Sequence, residues 1–130
     1  MAITLVLSIG LDVELLSTRN LVLQSAGYAV VPAFSIEEAV ACFTDGDFDL
    51  VLLCQSIPTN LKERLTCWIR ATGSSIPVVS VSGWICQHDA FADATVEGNP
   101  STLLMGIRDA LVKAAIAGRI GGEVHHRSPH

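Results

Sequence analysis

The sequence predicts an α/β domain: a five-stranded parallel sheet, doubly wound as (βα)5, with helices on both faces. Three observations predict it. Short apolar runs recur five times, helix-length segments separate them, and the central runs are continuously apolar rather than alternating. Alternation would mark a sheet with one wet face, whereas a continuous run needs burial on both faces, as a central parallel strand has. Parallel neighbours require crossovers, which the intervening helices supply with right-handed geometry.

Each element has its own signal. ITLVLSI (3–9) is rich in β-branched residues and leads into Gly10. Asp12 is a good N-cap for a helix running to about Ala26, closed by Gly27 in the left-handed region. YAVVPA (28–33) is the second strand, and Ser35 with Glu38 makes an S-x-x-E capping box for a helix over 36–44, ended by Gly46. FDLVLLC (48–54) is the continuous central strand. Pro58 and Asn60 open a third helix to about Ala71, a Gly73-Ser74-Ser75 turn follows, and PVVSVS (77–82) is the fourth strand. The stretch 84–92 is short for a helix, and ADATVE (92–97) is the fifth strand. Asn99-Pro100-Ser101 starts a final helix to about Ala117, which Gly118, Gly121 and Gly122 are expected to break before HHRSPH frays. One domain over 1–118 and a flexible C-terminal tail over 119–130 follow.

Composition bounds the function. The chain has 130 residues, 50% of them apolar and 16% charged, with mean hydropathy +0.49, which excludes a disordered chain. A net charge of −5, with only eight scattered Lys and Arg, speaks against a nucleic-acid surface. No apolar run approaches the ~20 residues of a membrane span, and MAITLVLSIG lacks the basic start and cleavage site of a signal peptide. The expected state is neither nucleic-acid nor membrane bound. Cys42, Cys54, Cys67 and Cys86 show no metal-ligand spacing, so reduced thiols and a cytoplasmic location are expected, with no metal and no cofactor. In a doubly wound sheet, functional residues lie at the carboxyl ends of the strands, here 8–12, 54–58, 82–84 and 96–99.

Four stretches then carry a resemblance. FDLVLLCQSIP (48–58) is similar to D-L-V-L-L-D with a proline four residues after the last Asp, and LKERLTCWIR (61–70) to a helix ending in Ile-Arg. IPVVSVSG (76–83) is similar to P-V-I-x-L-T/S-A/G, and AGYAVVPAFS (26–35) to E-G-Y-x-V-x-x-A-x-x. Over about residues 3–117 the chain resembles the receiver domain of bacterial two-component response regulators, a flavodoxin-like fold. Receivers accept a phosphoryl group on an Asp ending the third strand. They hold Mg²⁺ through that Asp, an acidic pair after the first strand and a backbone carbonyl. A Ser/Thr after the fourth strand and a Lys after the fifth contact the phosphoryl oxygens.

Carried over by position, the phosphoacceptor is Cys54 and the acidic pair falls between Ser8 and Leu11, where no carboxylate stands. Asp12 is the nearest acid, and its expected task is the helix cap. Ser82 keeps the hydroxyl, the Lys falls on Glu97 or Gly98, and the aromatic switch falls on Ala94 or Thr95. A thiol cannot form the acyl phosphate, and a site without acids cannot hold Mg²⁺, which prefers oxygen ligands. The resemblance therefore implies a pseudoreceiver: a signalling module, not an enzyme, that acts through protein–protein interaction without aspartyl phosphorylation. Its partner would be a histidine kinase or another signalling protein, and a homodimer is compatible with the family's habits. No DNA-binding effector is expected, because the chain ends soon after the last predicted helix.

Trp84, Ile85 and Phe91 follow the fourth strand and are the expected partner-binding residues, since an exposed Trp is a frequent interface anchor. The segment from Ser82 to Glu97 is about six residues shorter than in the family, so a reduced fourth helix is expected there. Lys62, Glu63 and Arg64 are expected as solvated helix residues. Two alternatives belong to other classes: a redox-responsive thiol protein using Cys54, and an atypical phosphorylatable receiver using Asp12 or Asp49. No Lys, Arg or His is near Cys54 in sequence to lower its pKa. A flavin or nucleotide site finds no support, because SIGLD carries one glycine and no phosphate loop.

Overall fold

The structure is a computed structural model that describes residues 3–82 and 91–124, with only the backbone described over 118–124. Strands β1 (Leu5–Ile9), β2 (Ala29–Ala33), β3 (Leu50–Leu53), β4 (Val78–Ser82) and β5 (Ala94–Glu97) form one parallel sheet in the order β2-β1-β3-β4-β5. Helices α1 (Val13–Ser25), α2 (Ile36–Asp45), α3 (Thr59–Ala71) and α4 (Pro100–Val124) cover its faces. This is the flavodoxin-like doubly wound arrangement, and its strand order reverses between β1 and β3, where such sheets place their sites.

The pleat sorts the core into two halves. Val6, Leu50, Leu52, Cys54, Val79 and Val81 face α1 and α4, meeting Leu16, Leu23, Leu103 and Ile107. Leu7, Ile9, Val51, Leu53 and Val78 face α2 and α3, meeting Ala39, Leu65 and Ile69. Every residue of β3 is fully buried, which is why its sequence shows no polar alternation. Phe43 fills the far edge of the second half, edge-on to Trp68 with ring centroids 5.6 Å apart. Trp68 is thus a packing residue.

Local chemistry sets the element ends. Asp12 Oδ1 accepts from Leu15 N at 3.1 Å, and Gly27 takes φ 98°, a conformation L side chains rarely adopt. Ser35 Oγ accepts from Glu38 N at 3.0 Å; Glu38 Oε1 reaches one residue further back than in a regular capping box and accepts from Phe34 N. At the amino ends of the strands, carboxylates satisfy backbone donors. Asp49 Oδ2 accepts from Leu5 N at 2.8 Å, and Asp93 Oδ2 accepts from Val78 N at 2.7 Å while pairing with Arg70 Nη2 at 2.6 Å.

One boundary is corrected. The last helix continues to Val124 instead of ending near Ala117, so residue 118 falls inside it. Each helical glycine costs about 1 kcal/mol relative to Ala but keeps its N–H donor and clashes with nothing. Gly118, Gly121 and Gly122 therefore weaken the helix without breaking it. The stretch over 84–92 expected to be short for a helix lies mostly outside the described residues.

These contacts predict a wide spread of mutational costs. Leu52→Ala should destabilise the domain by about 2–5 kcal/mol through lost burial and a cavity, and Ser35→Ala by only about 1 kcal/mol through a lost cap. Urea denaturation of the two variants checks the ordering.

Candidate functional site

The carboxyl ends of β1 and β3 meet at the reversal of strand order. Cys54 N donates to Ile9 O at 2.8 Å, and Gly10 N donates to Ala33 O at 3.0 Å. Ser56 Oγ, beyond β3, accepts from Leu11 N at 2.9 Å and Asp12 N at 3.2 Å, pinning the β1–α1 loop against the β3–α3 loop. A Cβ on Gly10 would meet Leu16 Cδ1 at 3.0 Å, Cys54 Cβ at 3.1 Å and Ser56 Oγ at 3.3 Å. Where the acidic pair was expected to fall, there is consequently no carboxylate and little space for one. Asp12 is exposed and holds its cap, and Asp49 lies at the opposite end of β3, about 16 Å away along the strand. Among the described residues, no three His, Cys, Asp or Glu side chains gather as a metal site.

Cys54 is fully buried in the half-core under α1 and α4. Burial pushes its thiol up from 9.0 to about 11, while the charges of Arg19 and Lys62 and the nearby Ser8 hydroxyl pull the other way. Desolvation wins, so the thiol stays protonated at neutral pH, contrary to what a reactive redox cysteine requires. Ser82 ends β4, buried, paired in register with the exposed Glu97.

Two cations at this end were not expected. Lys62 is not a solvated helix residue: only 4% exposed, its Nζ donates to Ser80 Oγ and Val81 O, both at 2.9 Å. Arg19 reaches across from α1 with 7% exposure, and its Nη2 donates to Gln55 Oε1 at 2.7 Å. A Cβ on Gly98 would collide with Arg19 Nη2. The guanidinium thus fills the place beside Gly98 where the resemblance put a lysine chain. Glu97 and Gly98 are not basic, but α1 and α3 deliver positive charge to this end through Arg19 and Lys62.

A sequence signal for both cations existed. The buried stripe of α1 is Leu16, Arg19, Asn20 and Leu23, and that of α3 is Lys62, Leu65, Thr66 and Ile69. Each follows the i, i+3, i+4, i+7 spacing of a core-facing row. A cation inside such a row is a candidate buried charge. The neighbouring Glu63 and Arg64 are exposed, as expected.

Of the expected partner-binding residues, Trp84 and Ile85 lie outside the described residues. Phe91 is half-buried and packs against the half-core under α2 and α3. A groove of about 440 Å³ runs between β5 and α4, lined by Ala94, Val96, Gly106, Asp109 and Ala110 among others, away from Cys54.

No protein-family model matches the sequence, and no curated protein matches it. Solved structures do. A CheY-like response regulator receiver domain protein from Methanospirillum hungatei JF-1 aligns with TM-score 0.72 at 23% identity, over 90% of this chain and 100% of that one. The chemotaxis response regulator CheY4 of Vibrio cholerae gives TM-score 0.73 at 20% identity, over 84% of this chain and 99% of that one. The response regulator protein TrrA of Thermotoga maritima, determined in complex with Mg²⁺–BeF, gives 0.69 at 21% identity, over 83% and 99%. The likeness is one of fold.

The state of Cys54 has a measurable consequence. A thiol harder to ionise folded than unfolded stabilises the fold below pH 9, and that contribution is lost between pH 9 and about 11. The expected loss is of order 2–3 kcal/mol, since each pKa unit is worth about 1.4 kcal/mol. Denaturation midpoints at pH 8 and 10.5 should show it, and Cys54→Ala should flatten the slope. Iodoacetamide at pH 8 should label the exposed Cys67 readily and Cys54 only after unfolding, as peptide mass spectrometry would show.

Proposed function

We propose that this chain is a receiver-like signalling module that acts through protein–protein interaction and works without aspartyl phosphorylation. The observation that carries it is the composition of the β3 carboxyl end: a buried neutral thiol within reach of a guanidinium and an ammonium, with no carboxylate beside it among the described residues. Phosphoryl transfer of the receiver type needs an acid as nucleophile and a divalent cation as charge compensator. Here the nucleophile is sulfur, and two fixed positive charges repel the divalent cation. Gly10, hemmed in by Leu16, Cys54 and Ser56, leaves no pocket for the missing acids.

Without a phosphoryl group, any switching must come from a partner that binds one conformation better than another. The partner is a protein, with a histidine kinase or another signalling protein the class the fold suggests, and a second copy of the chain is compatible with it. Trp84, Ile85 and Phe91, which follow the fourth strand in sequence, are the proposed contacts. No catalysis is assigned, and the reduced thiols fit a cytoplasmic protein. The domain is taken as 1–118, with 119–130 as a C-terminal tail whose first residues continue α4 to Val124.

The Thermotoga neighbour was determined with Mg²⁺–BeF, which supplies the test. ¹H–¹⁵N spectra of the labelled chain should show no Mg²⁺-dependent shift with beryllofluoride at millimolar Mg²⁺. Saturable, Mg²⁺-dependent shifts at residues 8–12, Cys54 and Ser82 would mean a working phosphorylation site and sink the proposal.

A further inference from the structure

We infer that the strand ends hold an oxyanion-binding site centred on Arg19, with a phosphate or carboxylate group as its ligand and Gln55 as its removable cover. Arg19 is more than nine-tenths buried, yet among the described residues only one of its five N–H donors, on Nη2, finds an acceptor, the Gln55 carboxamide oxygen. Nε and Nη1 are buried and have no hydrogen-bond partner among the described residues. Nor does the guanidinium form an ion pair with any described carboxylate: the charged pair at the sheet's other end is Arg70–Asp93. A buried charge is normally paired, because desolvating it costs several kcal/mol. This one faces a neutral amide.

Several features make an oxyanion the fitting ligand. The guanidinium fork matches two oxygens of a carboxylate or phosphate, and Nη2 forms such a fork with either Nε or Nη1 once Gln55 lets go. Gln55 is exposed on the β3–α3 loop, so its side chain can leave without disturbing the core. Ser8 Oγ, fully buried beside the Cys54 thiol, offers a hydroxyl on the same face of the sheet. Lys62 is held by Ser80 and Val81 but adds its charge to the same end, as its pull on Cys54 shows. A second cation deters a metal and favours an anion. The site needs no Mg²⁺ and no covalent step, so it stands apart from how the chain signals.

The test is a titration of the ¹⁵N-labelled chain with inorganic phosphate in EDTA at fixed ionic strength, with acetate and chloride run in parallel. Saturable shifts are expected at Arg19 Nε–H, the Gln55 side-chain amide and the Gly98 N–H, and not with chloride. Gln55→Glu supplies the carboxylate from within. It should raise Tm and weaken oxyanion binding at least tenfold, and Arg19→Met should weaken it as much. Binding of acetate but not phosphate assigns a carboxylate ligand, and the reverse assigns a phosphate; both support the site. Absence of saturable shifts with either oxyanion, or wild-type affinity in Gln55→Glu, overturns it. If Arg19→Met does not fold, Gln55→Glu alone decides. EDTA excludes Mg²⁺, so this outcome and that of the beryllofluoride experiment are independent.

Discussion

The structure depends on one constraint: β3 is buried on both faces. Leu50, Val51, Leu52 and Leu53 have no exposed surface, so the sheet must carry a helical layer on each side. That forces the crossover connections, the parallel strands and the reversal of order between β1 and β3. The same reversal opens the crevice into which the β1–α1 and β3–α3 loops lean. Core and site therefore have a common origin. Cys54, the residue after β3, belongs to both: it packs with Leu16 and Leu103 and also stands at the centre of the crevice.

The fold was legible because its signals are redundant. Each strand is an apolar run, and the Asp12 and Ser35 caps and the Gly27 turn fall where local chemistry asks for them. Strand and helix ends were read to within a few residues, apart from the end of α4. There, Gly118, Gly121 and Gly122 signal a stop in the sequence, although glycine lowers helix stability without forbidding the conformation.

The site was legible only by subtraction. The sequence could show that no acids stand at the positions between Ser8 and Leu11, because that is a statement about which residues are present. It did not show what fills the space, because Arg19 and Lys62 come from helices far away in the chain and meet Cys54 only through the fold. Both are long side chains whose charged ends travel several ångströms from their own backbone, so proximity along the sequence is the wrong guide. Helical phase was the better one, since it places Arg19 and Lys62 in the rows that face the sheet.

The polarity of the sheet is then orderly. Carboxylates Asp49 and Asp93 work at the amino ends, where they accept from the first strand N–H groups, and cations gather at the carboxyl ends. The collision between a Gly98 Cβ and Arg19 has a consequence for the chain's future as well as its present. A lysine could not be placed at 98 unless Arg19 first withdrew, and an acid could not be placed at 10 unless Leu16, Cys54 and Ser56 gave way. An aspartate arriving at 54 alone would find a guanidinium and an ammonium waiting and be consumed as an internal counter-ion. Each of these single changes would have to displace a neighbour or pair with one. Mutational drift can therefore reshape the surface of this domain more freely than its crevice, where each side chain is held by its neighbours.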